Sequence, residues 1–278
     1  MTMDMRQIRE HWDALAQKYA VDVKSTTKTP TIKQLEIHAL ARAIRAFFPS
    51  SASVIERTVL EVGCGNGHNC FGLWRQFGSY RFTGLDYSPQ MIESAQRLRD
   101  AHPEANIHFG VADILDLQME SLHPTTFDVV FTDRCIINLN TWEKQMVGIR
   151  NCADRVASGG ALIVLENFSG SYRNQNRLRE SVGLPSRTPD PYNCFIQEEA
   201  FLSFATNELG LIHAATDDFG SLHDILLYVL IPTINDGYVD YEHPIMEAVT
   251  TLLARMPEDL SNQFGPFGQN RLYVFRKP

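Results

Sequence analysis

Apolar positions along this chain follow a helical period first and a strand period later. Over residues 4–20, Ile8, Trp12, Leu15 and Tyr19 recur at helical spacing and predict an amphipathic helix. The segment 24–30 is polar and rich in threonine, and predicts a loop. A second helix is predicted over 31–48, where Ile32, Leu35, Ile37, Leu40 and Ile44 are apolar. Short apolar runs then alternate with helical stretches. Strands are predicted over 58–62, 80–85, 106–111, 127–132 and 160–166, and helices over 67–77, from Ser88 onward and over 141–157. Ser88-Pro89 supplies a capping hydroxyl and then a first-turn proline. This alternation predicts a doubly wound α/β fold, a mostly parallel sheet with helices on both faces.

Two segments interrupt the rhythm. Residues 167–193 are rich in Ser, Arg, Asn and Pro and follow the fifth strand directly. Residues 233–270 separate two apolar runs, 224–231 and 272–276, both expected to be strands. That second insert carries its own predicted helix, 245–255, and a Gly-Pro-Phe-Gly turn. The expected division is an N-terminal helical cap over 1–50 and a domain over 51–278, with both inserts acting as lids or as tolerated loop decoration.

The chemistry concentrates at Val59-Leu60-Glu61-Val62-Gly63-Cys64-Gly65-Asn66-Gly67. A buried strand runs into three alternating glycines, a turn on which no side chain blocks a ligand. About twenty residues on, a second strand ends at Asp86, the spacing with which a doubly wound sheet holds a ribose. A dinucleotide turn wants G-x-G-x-x-G, so that a pyrophosphate meets a helix N-terminus. Here the third position of that pattern is His68, and the third glycine falls one place early, at Gly67. That argues against a nicotinamide oxidoreductase.

E-x-G-x-G-x-G resembles motif I of the class I S-adenosylmethionine (SAM)-dependent methyltransferases, and the likeness continues along most of the chain. Asp86 resembles the acid that takes both ribose hydroxyls. Gly110 to Ile114 is similar to the strand end where an Asp meets the adenine amine and an aliphatic residue covers the ring. Phe127 to Asp133 resembles the fourth strand, which opens onto the methyl donor, and Ser158 to Glu166 the G-G turn and fifth strand. The resemblance implies a seven-stranded, mostly parallel sheet with an antiparallel last strand. It implies SAM as cofactor, S-adenosylhomocysteine (SAH) as product, and methyl transfer as activity.

It also implies roles for single residues. Gly63, Gly65 and Gly67 admit the methionine carboxylate and amine. Glu61 engages the ammonium directly or through water, or holds the turn. Asp86 holds the ribose, Asp113 the adenine amine with Ala112 and Ile114 beside it, and Tyr87 and Met91 flank the adenine or simply pack. Thr132 and Arg134 follow the fourth strand toward the methyl group. Tyr19, and with it Trp12, offers an aromatic face to a sulfonium. For the acceptor, Arg134, Asn167, Arg173, Asn176, Arg179 and Tyr192 are the candidates, since arginines clamp carboxylates or phosphates; a solvated helix face is the alternative. His223, Glu166, Tyr172 and His213 are the candidate bases, His223 because imidazole titrates in the useful range; a satisfied structural histidine is the alternative. Asp190-Pro191-Tyr192 and Cys135 are similar to signatures of nucleobase methyltransferases, but the first is misplaced and the second lacks its preceding proline.

Composition narrows the acceptor. The net charge is -8 and no basic run appears, which disfavours a nucleic-acid substrate. The hydrophobic fraction, 44%, fits a full core. The longest apolar stretch, Ile225 to Ile231, is too short for a bilayer, the first residues lack a signal core, and five cysteines without metal spacing fit reduced thiols. A cytoplasmic enzyme with no membrane partner and no bound metal is expected, with the N-terminal helices available for a homodimer. The expected acceptor is an oxygen or nitrogen of a small polar metabolite, such as a sugar or natural-product precursor. A nucleic-acid or protein methyltransferase and a non-catalytic SAM-binding protein are the alternatives.

Overall fold

Seven strands form one sheet in the order β3-β2-β1-β4-β5-β7-β6. The computed structural model describes residues 3–28, 30–48, 56–117, 124–257, 260 and 262–278. The central strands are β1 (Thr58–Val62), β2 (Arg81–Asp86), β3 (Ile107–Val111), β4 (Phe127–Asp133) and β5 (Val156–Asn167). All are parallel neighbours, with Val59 opposite Phe82 on one side and Val129 on the other. The last strand, β7 (Asn270–Arg276), runs antiparallel between β5 and the edge strand β6 (Ile212–Asp217). This is the class I methyltransferase arrangement, six parallel strands and one reversed.

The helices follow in chain order: α1 (Met5–Tyr19), α2 (Pro30–Phe47), α3 (His68–Trp74), α4 (Pro89–Asp100), α5 (Trp142–Asp154), α6 (Ser169–Ser181), α7 (Glu198–Ser203), α8 (Ser221–Ile225), α9 (Ile231–Ile234) and α10 (Ile245–Arg255). Strand side chains alternate between faces and divide the core in two. Val59, Phe82 and Ile163 meet α2, α3, α4 and α10, while Leu60, Val130 and Leu162 meet α5 and α7. Each buried Leu, Ile or Phe contributes about 1.5–3 kcal/mol. Helix α1 starts at a capping box: Asp4 accepts from the Gln7 amide, and Gln7 accepts from the Asp4 amide, both at 2.9 Å. Ser88 caps α4 by accepting from the Met91 amide at 3.1 Å.

One expectation is corrected. The run 224–231 is not a strand. It continues α8 through a π-type turn, Leu226–Leu230, into α9. An unbroken apolar run of that length fits a buried helix as well as a buried strand, and periodicity alone does not separate them. The sixth strand precedes it, and most of its residues are exposed. The N-terminal segment packs against the sheet. Leu35, Leu40 and Ile44 of α2 are fully enclosed in the core that α3 and α10 share. The expected boundary at residue 50 lies outside the described residues.

Candidate functional site

The glycine turn leaves β1 with Gly63 at φ +79°, Gly65 at +52° and Gly67 at +85°. Such angles exclude most side chains. Space excludes them too: a Cβ on Gly63 would fall 2.3 Å from the Cys135 sulfur, and one on Gly65 2.6 Å from a Thr26 methyl. The Gly63 and Cys64 amides donate to the Leu85 carbonyl at 2.7 and 2.9 Å, so the turn is sewn to the end of β2. Asp86 stands at that end. Its carboxylate accepts from the Gly65 amide at 2.8 Å and the Ser88 amide at 2.9 Å. Burial nevertheless raises its pKa to about 6.

Around this turn lies a cleft of about 880 Å³, its open mouth included. It gathers Glu61, Gly63, Gly65, Asp86, Tyr87, Met91, Ala112, Asp113, Ile114 and Arg134 from the sequence expectations. Gly67 turns away, since a Cβ there would meet Phe109 at 2.6 Å. Thr132 is fully buried in β4 and Tyr19 lines a different cavity. Among the described residues that line the cleft, three buried polar atoms have neither a hydrogen-bond nor an ion-pair partner: the Trp12 indole nitrogen, the Asn66 carbonyl oxygen and the Tyr87 hydroxyl. Leaving such groups unmade costs about 1–3 kcal/mol each, so a polar ligand is the natural partner. A glycine cradle, a strand-end carboxylate and these orphaned atoms suit a ligand that combines an amino acid with a nucleoside.

The N-terminal arm roofs the cleft. The Asn66 amide nitrogen, wholly buried, donates to the carbonyls of Ala20 (3.1 Å) and Asp22 (2.9 Å) and to the Ser25 hydroxyl (2.6 Å). His68 bonds the Val21 carbonyl at 2.7 Å. Ser88 donates to Asp13 at 2.5 Å, which ties α1 to α4.

Behind the turn runs a buried charge network that the sequence reading did not foresee. Lys33 of α2 reaches Asp133 at 2.6 Å and Glu36 at 2.8 Å. Arg134 pairs with Glu36 at 2.8 Å and donates to the Thr26 carbonyl at 3.1 Å. Asn69 donates to both Glu61 (2.7 Å) and Asp133 (2.8 Å). Burial works against an ionised Asp133, but Lys33 and Arg134 outweigh it and hold that carboxyl below its usual range. Glu61 lies farther from cationic charge, and burial lifts its pKa to about 8. Arg134 itself sits at φ +53°, a strained conformation for arginine at the junction of turn, arm and sheet.

A second, larger cavity of about 2140 Å³, mouth included, adjoins the cleft. Trp12, Thr26, Arg134 and Asn138 line both. From the sequence expectations this cavity gathers Tyr19, Asn167, Tyr172, Tyr192 and His223. Both inserts contribute to its wall, through Arg187 and Tyr192 from the first and Tyr241 and Gln269 from the second.

Several candidates are placed elsewhere. Glu166 lines neither cavity; its carboxylate accepts from the amides of Cys135 (3.0 Å), Ile136 (3.0 Å) and Ile137 (3.2 Å). It holds the chain after β4. Arg173 is exposed and donates to Ser169. Asn176 brackets the Arg187 backbone at 3.0 and 2.9 Å. Arg179 is buried against the carbonyls of Pro185 and Tyr228. Besides Arg134, the arginine that faces the cavity is Arg187, stacked 3.5 Å over the Tyr228 ring. Its position on an irregular loop left no periodic signal.

Residues 56–186 match a family described as a methyltransferase domain. Over 123 residues the chain is 32% identical to ajmaline N-methyltransferase of Rauvolfia serpentina, covering 44% of this chain and 40% of that protein. Over 88 residues it is 35% identical to tRNA U34 carboxymethyltransferase of Cellvibrio japonicus (strain Ueda107), covering 30% of this chain and 25% of that one. The chain thus spans less than half the length of either relative. In fold it is similar to magnesium protoporphyrin IX methyltransferase from Synechocystis PCC 6803, with a TM-score of 0.59 and 13% identity over 99% of this chain and 100% of that one.

Proposed function

We propose that this chain, whose residues 56–186 match a methyltransferase domain, is a class I SAM-dependent methyltransferase that methylates an oxygen or nitrogen of a small polar metabolite. One observation carries the reading: the glycine cleft and the larger cavity share a wall at Trp12, Thr26, Arg134 and Asn138. A donor in the first therefore lies beside an acceptor in the second.

In this reading Gly63 and Gly65 admit the amino-acid end of SAM, with Glu61 behind its ammonium. Asp86 holds the ribose; its carboxylate oxygens each keep a lone pair beyond the two amides they accept. Asp113, Ala112, Ile114, Met91 and Tyr87 surround the adenine. SAM supplies a methyl group already activated on a sulfonium. The protein's part is to hold the acceptor in line and keep water out, and alignment of this kind is worth about 7–11 kcal/mol. Helix α1 and the arm bound to Asn66 provide the exclusion.

A cavity walled by both inserts and a net charge of -8 favour a small molecule over RNA, although one relative acts on tRNA by its name. The described cysteines are all unpaired, in keeping with the reducing cytoplasm. Among the described residues no helix is long and apolar enough to cross a membrane.

Titration calorimetry with SAM and SAH tests the proposal. Binding should weaken at least tenfold in Asp86→Ala. No binding at high micromolar ligand, or an unchanged affinity in that variant, overturns it. A protein that binds SAM yet never yields SAH with any acceptor would be a non-catalytic SAM binder.

A further inference from the structure

Inside the larger cavity, one imidazole is fixed on one side and open on the other. His223 is 1% exposed, and its Nδ1 lies 3.0 Å from Asp224 Oδ1. The second oxygen of Asp224 accepts from the Gln269 amide at 2.9 Å and from the Gln175 side chain at 3.5 Å. Those donors favour an ionised carboxylate, which accepts hydrogen bonds and gives none. Nδ1 must then carry the proton, leaving Nε2 as the basic nitrogen. Nε2 has no hydrogen-bond partner among the described residues although it is buried, and His223 lines the cavity. The Tyr172 hydroxyl, in the same wall, is likewise buried and unpartnered.

The rest of the lining describes the guest. Tyr172, Tyr192, Phe195, Tyr228 and Tyr241 present aromatic surface. Arg187 lies flat on Tyr228 at 3.5 Å, its Nη1 taken by Gln175 at 2.7 Å. No carboxylate among the described residues forms an ion pair with it. Aromatic walls suit a planar ring, and a guanidinium without an ion-pair partner suits an anion.

We infer that this cavity takes a planar hydroxylated aromatic molecule bearing a carboxylate, and that His223, positioned by Asp224, removes the proton from its hydroxyl. The inference rests on the methyltransferase reading. As the acceptor O–H bond breaks, the proton passes to His223 Nε2 and the oxygen lone pair forms the new O–CH3 bond. The S–CH3 bond breaks with its electron pair going to sulfur, which neutralises the sulfonium. The imidazolium then returns its proton to solvent. His223 is the catalytic residue and Asp224 the positioning residue.

The test uses the full chain and 3,4-dihydroxybenzoate as probe. In the free protein, nitrogen NMR of the imidazoles, assigned by difference from His223→Gln, should show Nδ1 protonated and Nε2 bare in His223. Asp224→Asn should shift the proton to Nε2 without changing SAH affinity. With SAM present, the probe should yield its monomethyl ether, and His223→Gln should lower kcat about 10²–10⁴-fold. Arg187→Gln should raise KM for the probe at least tenfold and leave KM for catechol, which lacks the carboxylate, unchanged. An Nε2-protonated His223 in the wild type overturns the inference. So does preferential methylation of 3,4-diaminobenzoate, or failure of the probe to bind at millimolar concentration while SAH binds. Failure of SAH itself to bind overturns instead the reading on which the inference stands.

Discussion

Lys33 of α2 lies 2.6 Å from Asp133 at the end of β4, and both are almost wholly enclosed. Removing one partner leaves a buried charge without compensation, which costs about 3–5 kcal/mol. Lys33→Met should lose that much stability in urea denaturation. The double variant Lys33→Met/Asp133→Asn should recover part of the loss. Strictly additive losses would show that the two charges do not depend on each other.

Gly63 meets the Cys135 side chain where a Cβ would stand, at 2.3 Å, and holds φ +79°. Gly63→Ala adds overpacking and a left-handed alanine, together about 2–5 kcal/mol. A lowered thermal midpoint and at least tenfold weaker SAH binding are expected. Unchanged calorimetric affinity would mean that the turn relaxes freely.

Asn66 ties residues 20–25 to the glycine turn through three bonds from a single amide nitrogen. Asn66→Ala should raise hydrogen exchange across that arm and speed SAH release, while the strands keep their protection. Uniform exchange changes across the sheet would instead point to global destabilisation.

Glu61 is protonated below about pH 8 in the free protein because it is buried. A ligand ammonium docked against it favours the carboxylate, so its pKa falls on binding and a proton leaves. Affinity for SAH should therefore rise with pH between about 6 and 8. The binding enthalpy at pH 7 should vary with the ionisation enthalpy of the buffer, and Glu61→Gln should abolish that variation.

Folding is also affected by this group. Between its ordinary value of 4.5 and about 8, the unfolded chain has released the Glu61 proton that the folded chain retains. The unfolded state then binds fewer protons, and stability falls as pH rises through that window. Denaturant midpoints of wild type and Glu61→Gln should converge toward low pH and separate toward pH 8.

Much of this was legible in the sequence, for a local reason. The strands β1 to β5, the glycine turn and Asp86 depend on patterns within a few residues, and their places follow from periodicity and spacing. What escaped depends on distance along the chain or on irregular backbone. Lys33 and Asp133 are 100 residues apart, and nothing in either neighbourhood announces the other. Strand β6 lies at the sheet edge with residues 212–215 exposed, so it lacks the apolar alternation that marks a strand. Glu166 at a strand end reads as a base until three backbone amides are found on it. Asp224 drew no notice because it opens an apolar run, and only the folded chain sets it against His223.

The wall shared by the two cavities has a modular consequence. The segment that matches the methyltransferase family, 56–186, holds the glycine turn and Asp86. Trp12 and Thr26 come from before it, and His223, Tyr241 and Gln269 from after it. Most of the residues that line the larger cavity thus come from outside the stretch that carries the glycine turn, while Asn167 and Tyr172 come from within it. Under the proposed function, exchanging the flanks while keeping the middle is the economical route to a new acceptor. The limit on that exchange is Arg134, whose contacts with Glu36 and Thr26 require any new flank to present a carboxylate and a carbonyl in the same two places.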